Sequence, residues 1–281
     1  MHLAHDIPTN ALGSHLAAPP VLPLTNMAAT LRPLLAALAL LAGPVLAHGG
    51  LGNYTVGDTW YRGYDPSEPA SEQVGQPWMV QRQWVTIDPI FTVDSPYLAC
   101  NTPGAPPPAN SYIPISAGDN LTAVYWYWLH PVGPMTVWLA ACGDDCTTVD
   151  VNKLDFFKIW EAGLLEGPNL AEGVWYQKEF QRWDGSPGLW PVRIPRNLRA
   201  GRYIVRHEIL SIHIEDKPQF YPQCAHLEVK GEGDAVPGEE WLRRFPGAYE
   251  ADDPSIRINI YAKEFDTTTN YTIPGGPIWD G

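Results

Sequence analysis

The chain has 281 residues and a formal net charge of −13, from 18 Lys and Arg against 31 Asp and Glu. Only 17% of it is charged, against about 25% in an average globular chain. Its 12 Trp and 13 Tyr are too many for a disordered chain, and the acidic balance argues against a nucleic-acid binder, which needs a basic surface to meet phosphates. With 29 Pro and 25 Gly, long helices are disfavoured and short strands between turn-rich loops are expected.

In chain order, the first feature is an unbroken apolar run at residues 34–42, LLAALALLA. It is too short to span a bilayer, which takes about 20 residues. The run follows Arg32 and precedes Pro44-Val-Leu-Ala47, the charged, apolar and small-residue order of a secretory signal. Residues 1–47 are therefore predicted to be a leader that is removed, with Met27 a second candidate start. Residues 48–281 are predicted to form a single secreted domain, starting at His48-Gly49-Gly50. No later apolar stretch is long enough for a membrane span. Three sequons suit the secretory route, at Asn53, Asn120 and Asn270.

Strand-like stretches follow at 120–129, 135–142, 202–214 and 225–229, where β-branched and aromatic residues concentrate. Pro- and Gly-rich loops separate them, notably 102–110 and 182–191. One short helix is predicted within 151–165, from the apolar spacing of Leu154, Phe157 and Leu164. The pattern is that of an all-β protein, a β-sandwich with long loops. Four cysteines, Cys100, Cys142, Cys146 and Cys224, suggest two disulfides with three possible pairings. The Cys142-Gly-Asp-Asp-Cys146 spacing favours a local clip, which would leave Cys100 with Cys224. A zinc site is the rival, but no second Cys/His pair stands at ligand spacing.

Beyond residue 47 the histidines are His48, His130, His207, His213 and His226. Cleavage after Ala47 would give His48 two nitrogens, a free α-amine and an imidazole. An α-amine with a pKa near 8 yields its proton to a metal at neutral pH. One residue can then chelate a metal, and a second imidazole opposite would complete a three-nitrogen set suited to Cu(II). His130, at the end of an apolar strand and before Pro131, is the candidate for that imidazole. Alternation places Tyr203, Val205, His207 and Ile209 on one strand face, where a histidine needs a partner or a task. Gln219 and Tyr221 are two apart and face the same way in an extended segment.

These features come together with a series of motifs. Gly63-Tyr-Asp-Pro66, Ser95-Pro-Tyr-Leu-Ala-Cys-Asn101, Gly133-Pro134 and Cys146-Thr-Thr-Val-Asp150 follow His48-Gly49. Then come Phe157-Lys-Ile-Trp-Glu-Ala-Gly163, Gly201-Arg-Tyr-Ile-Val-Arg-His-Glu208, Gln219-Phe-Tyr-Pro-Gln-Cys224 and Phe245-Pro-Gly-Ala-Tyr249, with Asp253-Pro254 after them. In this order the chain resembles the fungal lytic polysaccharide monooxygenases of auxiliary activity family nine. The resemblance implies an immunoglobulin-like β-sandwich with a flat face centred on one copper ion. It implies His48 and His130 as equatorial ligands, Tyr221 as the axial one, and Gln219 with His207 beside the oxygen co-substrate. Tyr249 falls where a surface aromatic stacks on glucose, and the two disulfides match the family's. The implied reaction is oxidative cleavage of cellulose or a related β-1,4-glucan at C1, C4 or both. It consumes O2 or H2O2 and electrons from an external donor, in a secreted monomer.

The chain departs from the family in two places. Two residues, Pro131 and Val132, separate His130 from Gly133-Pro134, where the pattern has one, and the segment 72–89 has its own wording. Two other functions remain open on residues alone. A histidine-brace copper carrier or carbohydrate-binding protein would need no residues like Gln219 and His207 beside Tyr221. A hydrolase would need two carboxylates across a cleft, and no pair is marked out.

Overall fold

The structure, a computed structural model, describes residues 49–84, 86–102 and 111–281. The leader prediction and His48 lie outside the described residues. The architecture is the expected two-sheet sandwich. One sheet has β1 (Leu51–Val56), β2 (Thr59–Arg62), β4 (Asn120–Tyr125) and β9 (Gly188–Arg193), in the order β2-β1-β4-β9, all antiparallel. The other is built from β3 (Ile113–Ser116), β5 (Met135–Ala141), β6 (Phe156–Ala162), β10 (Gly201–Ser211) and β11 (Gln219–Lys230), in the order β3-β11-β10-β5-β6. Only β3 with β11 is parallel. A small ribbon of β7 (Leu164–Glu166) and β8 (Val174–Trp175) stands apart from both sheets.

The second sheet is covered on both faces, so β10 and β11 are buried almost continuously along their length. Odd-numbered residues of β10 and β11, such as Tyr203, Val205, Ile209, Tyr221 and Ala225, pack against Leu51, Tyr54 and Trp190 of the other sheet. Even-numbered residues, such as Ile204, Leu210, Phe220 and Cys224, pack under the loops that carry Leu98, Phe245 and Ile256. Arg206 and Glu208 are on that second face and fully desolvated. They pair with each other, and Arg206 donates to the carbonyls of Leu98 and Ala99 at 2.8 Å each.

The helix expected within 151–165 is not formed. Val151–Lys153 makes one 3-10 turn, capped by the Asp150 carboxylate, and the chain then enters β6. Tertiary pairing decides this: Phe156 and Phe157 pair with Ala140 and Leu139 of β5, on alternate faces, and a helix would lose that register. The strand expected at 225–229 is the second half of a 12-residue strand. Among the described residues, no helix is long and apolar enough to cross a membrane.

Both disulfides form in the pairing favoured by spacing, Cys100–Cys224 and Cys142–Cys146. The first joins residues 124 apart and the second joins residues 4 apart. The loop-closure entropy removed from the unfolded chain is worth about 4–5 kcal/mol for the long loop and about 2 kcal/mol for the short one. Denaturant titration of the paired Cys→Ser variants should show that order. Equal losses would mean that native packing, not loop length, governs their contribution.

Candidate metal centre

At one end of the sandwich four side chains converge from three segments. His130 leaves the end of the β4 side in the connection to β5, and Gln219 and Tyr221 open β11. His213 lies in the connection between β10 and β11. The His130 Nε2 is 3.1 Å from the Tyr221 hydroxyl, which donates to Gln219 Oε1 at 2.7 Å. The rings of His130 and His213 stack at 4.4 Å with a 21° tilt, and His213 Nδ1 is 2.7 Å from Ser211 Oγ. Burial, with the Asp88 carboxylate second, raises the Tyr221 phenol above its ordinary value, so the group is neutral at neutral pH.

The scaffold behind these groups explains their positions. Trp128 meets His130 edge-on at 5.2 Å and Tyr221 edge-on at 4.8 Å, so one buried indole props both. Its Nε1 donates to Gln177 Oε1 at 3.1 Å, while Gln177 Nε2 donates to the carbonyls of Gly133 at 2.7 Å and Leu210 at 3.0 Å. A single buried amide thus ties the His130 loop to the end of β10. Gly133 has φ +130°, and a Cβ there would fall 2.1 Å from the Leu210 carbonyl oxygen, so only glycine fits. Gln181 adds a bond from its amide to the Leu129 carbonyl. The extra residue between His130 and Gly133 is absorbed as a buried Val132, whose carbonyl accepts from Ile212 N at 3.1 Å. Gly49 is buried in the same corner: a Cβ on it would fall 1.4 Å from the Tyr127 carbonyl oxygen. Neither Gln177 nor Trp128 stands out in the sequence, because each acts through backbone carbonyls or ring edges that no spacing reveals.

Two expected site residues are not in this cluster. His207 is fully buried between the sheets, its ring 5.0 Å from Trp190 and 5.7 Å from Tyr54. Among the described residues neither of its ring nitrogens has a hydrogen-bond partner. It shares the strand face of Tyr221 but lies opposite Gln223, one layer deeper, so it does not reach the mouth of the site. The imidazole beside His130 is His213 instead. Tyr249 is also not a surface group. It is buried against Phe220 and Phe245 and donates to Glu208. The exposed aromatic of the C-terminal loop is Tyr261, 59% exposed, whose hydroxyl donates to the His213 carbonyl at 3.2 Å. Asn120 and Asn270 are exposed, and Asn53 is partly buried in β1.

Among the described residues no three His, Cys, Asp or Glu side chains group closely enough to hold a metal ion. The described part of the cluster is two stacked imidazoles, a phenol and an amide.

Residues 48–271 match Auxiliary Activity family 9 (formerly GH61). The chain belongs to Auxiliary Activity family 9. It is 42% identical over 252 residues to AA9 family lytic polysaccharide monooxygenase B of Heterobasidion irregulare, covering 89% of this chain and 99% of the relative. It is 39% identical over 246 residues to the AA9 family lytic polysaccharide monooxygenase-like protein CEL1 of Agaricus bisporus, covering 86% and 74%. Its fold superposes on the crystal structure of HiLPMO9B with a TM-score of 0.75, at 39% identity, over 83% of this chain and all of that one. A cellulose-active polysaccharide monooxygenase from M. thermophila superposes equally well, TM-score 0.75, at 32% identity over 83% of this chain and 100% of that one. Proteins of family AA9 are copper-dependent oxidative enzymes, and this AA9 chain is a polysaccharide monooxygenase.

Two measurements check the corrected positions. Burial alone holds the His207 imidazole down at a pKa of about 3, from an ordinary 6.5. The unfolded chain takes up that proton first, so stability falls as pH drops from about 6.5 towards 3, by as much as about 4 kcal/mol. His207→Leu should flatten the pH dependence of urea unfolding across that window, and an unchanged slope would contradict the burial assignment. Tyr249→Phe strands a buried carboxylate oxygen and should cost about 1–3 kcal/mol of stability with polysaccharide affinity unchanged. Tyr261→Ala, at an exposed ring, should cost little stability in the same titration.

Proposed function

We propose that the chain cleaves β-1,4-glucan, cellulose first, by oxidation at C1, C4 or both, using O2 or H2O2 and electrons from an external donor. We propose further that residues 48–281 are the working domain, secreted after removal of residues 1–47, and that it acts as a monomer with one copper ion. The observation that carries this reading is the His130–Tyr221 pair, with Nε2 and hydroxyl 3.1 Å apart, in the corner where Gly49 is packed. The family match begins at residue 48, which supports His48 as the first residue of the mature chain.

The donor set fits copper. Imidazole nitrogens with an α-amine favour Cu(II), and a neutral phenol is a weak further donor. His48, through amine and imidazole, and His130 would hold the ion, with Tyr221 beside them. The copper, when bound, supplies one-electron oxygen chemistry that side chains lack. The rest of the work falls to the protein. Trp128 and Gln177 fix the His130 ring before substrate arrives. The Tyr221 hydroxyl donates to Gln219 Oε1, so the amide is held with its nitrogen side turned away from the phenol. His213, stacked on His130, takes the place first assigned to His207: an imidazole beside the centre that can hold or deliver a proton at its ring nitrogens. Tyr261 offers an exposed ring for a glucose face, the role first assigned to Tyr249. The cellulose preference draws support from the M. thermophila relative described as cellulose-active.

The deciding experiment pairs mass spectrometry of the mature N-terminus with product analysis on cellulose, with and without ascorbate. An N-terminal His48 and oxidised oligosaccharides that need reductant, and vanish on copper chelation, are expected. Native oligosaccharides released without reductant would refute the reading. His213→Ala should lower turnover about 10–100-fold while copper still binds, and His207→Leu should leave turnover near the parent value.

A further inference from the structure

The outer face of the four-stranded sheet, away from both cores, carries exposed apolar surface. In β1, Tyr54 and Val56 point into the sandwich, so Asn53 and Thr55 point out. Trp60 of β2 is directly opposite Thr55, and Arg62 is opposite Asn53. Trp60 is 62% exposed, and it stands on β2, a four-residue edge strand. Trp126, just past β4, lies over Gly52 with no room for a Cβ between them, and is 50% exposed. Leu189 of β9, opposite Val124, is exposed as well. Two broad indoles on an exposed sheet face, one of them on an edge strand, are a self-association hazard that secreted proteins cover.

The Asn53-Tyr54-Thr55 sequon stands between these two tryptophans. In the amide orientation that gives both its atoms partners, Asn53 Oδ1 accepts from Trp126 Nε1 at 3.2 Å and Nδ2 donates to Gly52 O at 2.9 Å. That uses one of the two amide hydrogens, and the other position is open to substitution. Diagonal cross-strand neighbours lie roughly 7–8 Å apart, so a sugar on Asn53 starts between Trp60 and Trp126. We infer that Asn53 carries an N-linked glycan whose first sugars lie over Trp60 and Trp126 and shield this face.

In the attachment, the bond between C1 of the oligosaccharide and a polyprenyl diphosphate breaks and a C1–Nδ2 bond forms. Asn53 loses one amide proton, and the polyprenyl diphosphate leaves. The transfer precedes pairing of β1 with β2 and β4, because the folded sheet half-buries the amide. The inference rests on the secreted reading of the chain, not on its reaction. Asn120, exposed and with no exposed tryptophan paired beside it, serves as the internal comparison.

The test is glycopeptide mass spectrometry and hydroxyl-radical footprinting of the full chain secreted from a yeast or filamentous fungal host. Parent protein, Thr55→Ser and Thr55→Ala are compared. The parent and Thr55→Ser should carry the glycan at Asn53, with Trp60 and Trp126 oxidised less than Trp183, which is 78% exposed in the loop before β9. Thr55→Ala should lose the glycan and the protection of both indoles, with cellulose oxidation unchanged. Asn53 found bare in the secreted parent overturns the inference, whether Asn120 and Asn270 are occupied or not. So does an occupied Asn53 with both tryptophans as reactive as in Thr55→Ala. If Asn53 is bare and Trp60→Ala weakens adsorption to β-glucan, the face is a polysaccharide platform and the glycan reading falls. A chain that reaches the medium with no sugar anywhere but oxidises cellulose sinks this inference while leaving the proposed reaction intact.

Discussion

The register between β10 and β11 is the constraint on which the site depends. Eleven consecutive pairs run from Gly201↔Val229 to Ser211↔Gln219. Because the sheet is covered on both faces, each residue of these strands is committed to one of two cores, and a slip by one would exchange them all. With this register, Tyr221 points to the side of Trp128 and Arg206 points to the side of Leu98 and Ala99. On the face opposite the site, the Cys100–Cys224 bond ties β11 covalently to the loop whose Leu98 and Ala99 carbonyls accept from Arg206 of β10. The geometry at the mouth therefore inherits its precision from a strand pair that is buried along most of its length.

A second layer converts that register into a positioned imidazole. His130 sits in a connection, where backbone is ordinarily free to vary. Gln177 removes that freedom by bonding at once to the indole of Trp128 and to carbonyls on both sides of the gap. The amide comes from the 3-10 turn Tyr176–Phe180, far from the site in sequence. The two-residue spacer after His130 is compatible with this clamp because Val132 turns inward and bonds to Ile212. The departure from the family's spacing changes the filling of the loop and leaves the His130–Tyr221 contact in place.

Much of this was legible in the sequence, and the failures have physical causes. Strand content, the disulfide pairing and the Gln219–Tyr221 partnership follow from period-two alternation and cysteine spacing. The helix at 151–165 failed because a few apolar residues fit either period, and pairing with β5 chose the strand. His207 failed because alternation reports the face of a residue and says nothing of its depth. His207 and His213 share a parity, but four more strand residues follow His207, whereas Glu215, Asp216 and Lys217 soon follow His213 and announce the surface. The same reasoning separates Tyr261 from Tyr249. Ile256, Ile258 and Ile260 are buried, so the odd residue after them faces out. Tyr249 sits instead beside the desolvated Arg206–Glu208 pair, which needs its hydroxyl. The clamp by Gln177 had no sequence signal, since a glutamine in a loop is ordinary.

The order of strands in space has a consequence in time. β1 is locked between β2 and β4, β4 waits for β9, and β3 waits for β11 more than a hundred residues later. Contacts of such long sequence separation pay their loop-closure entropy before they return any stability, so folding of such a topology is slow and late to become selective. His130, His213 and Tyr261 come from three distant stretches that meet only when the last of these pairings is made. The cluster is thus a property of the completed topology, held by contacts between segments more than forty residues apart.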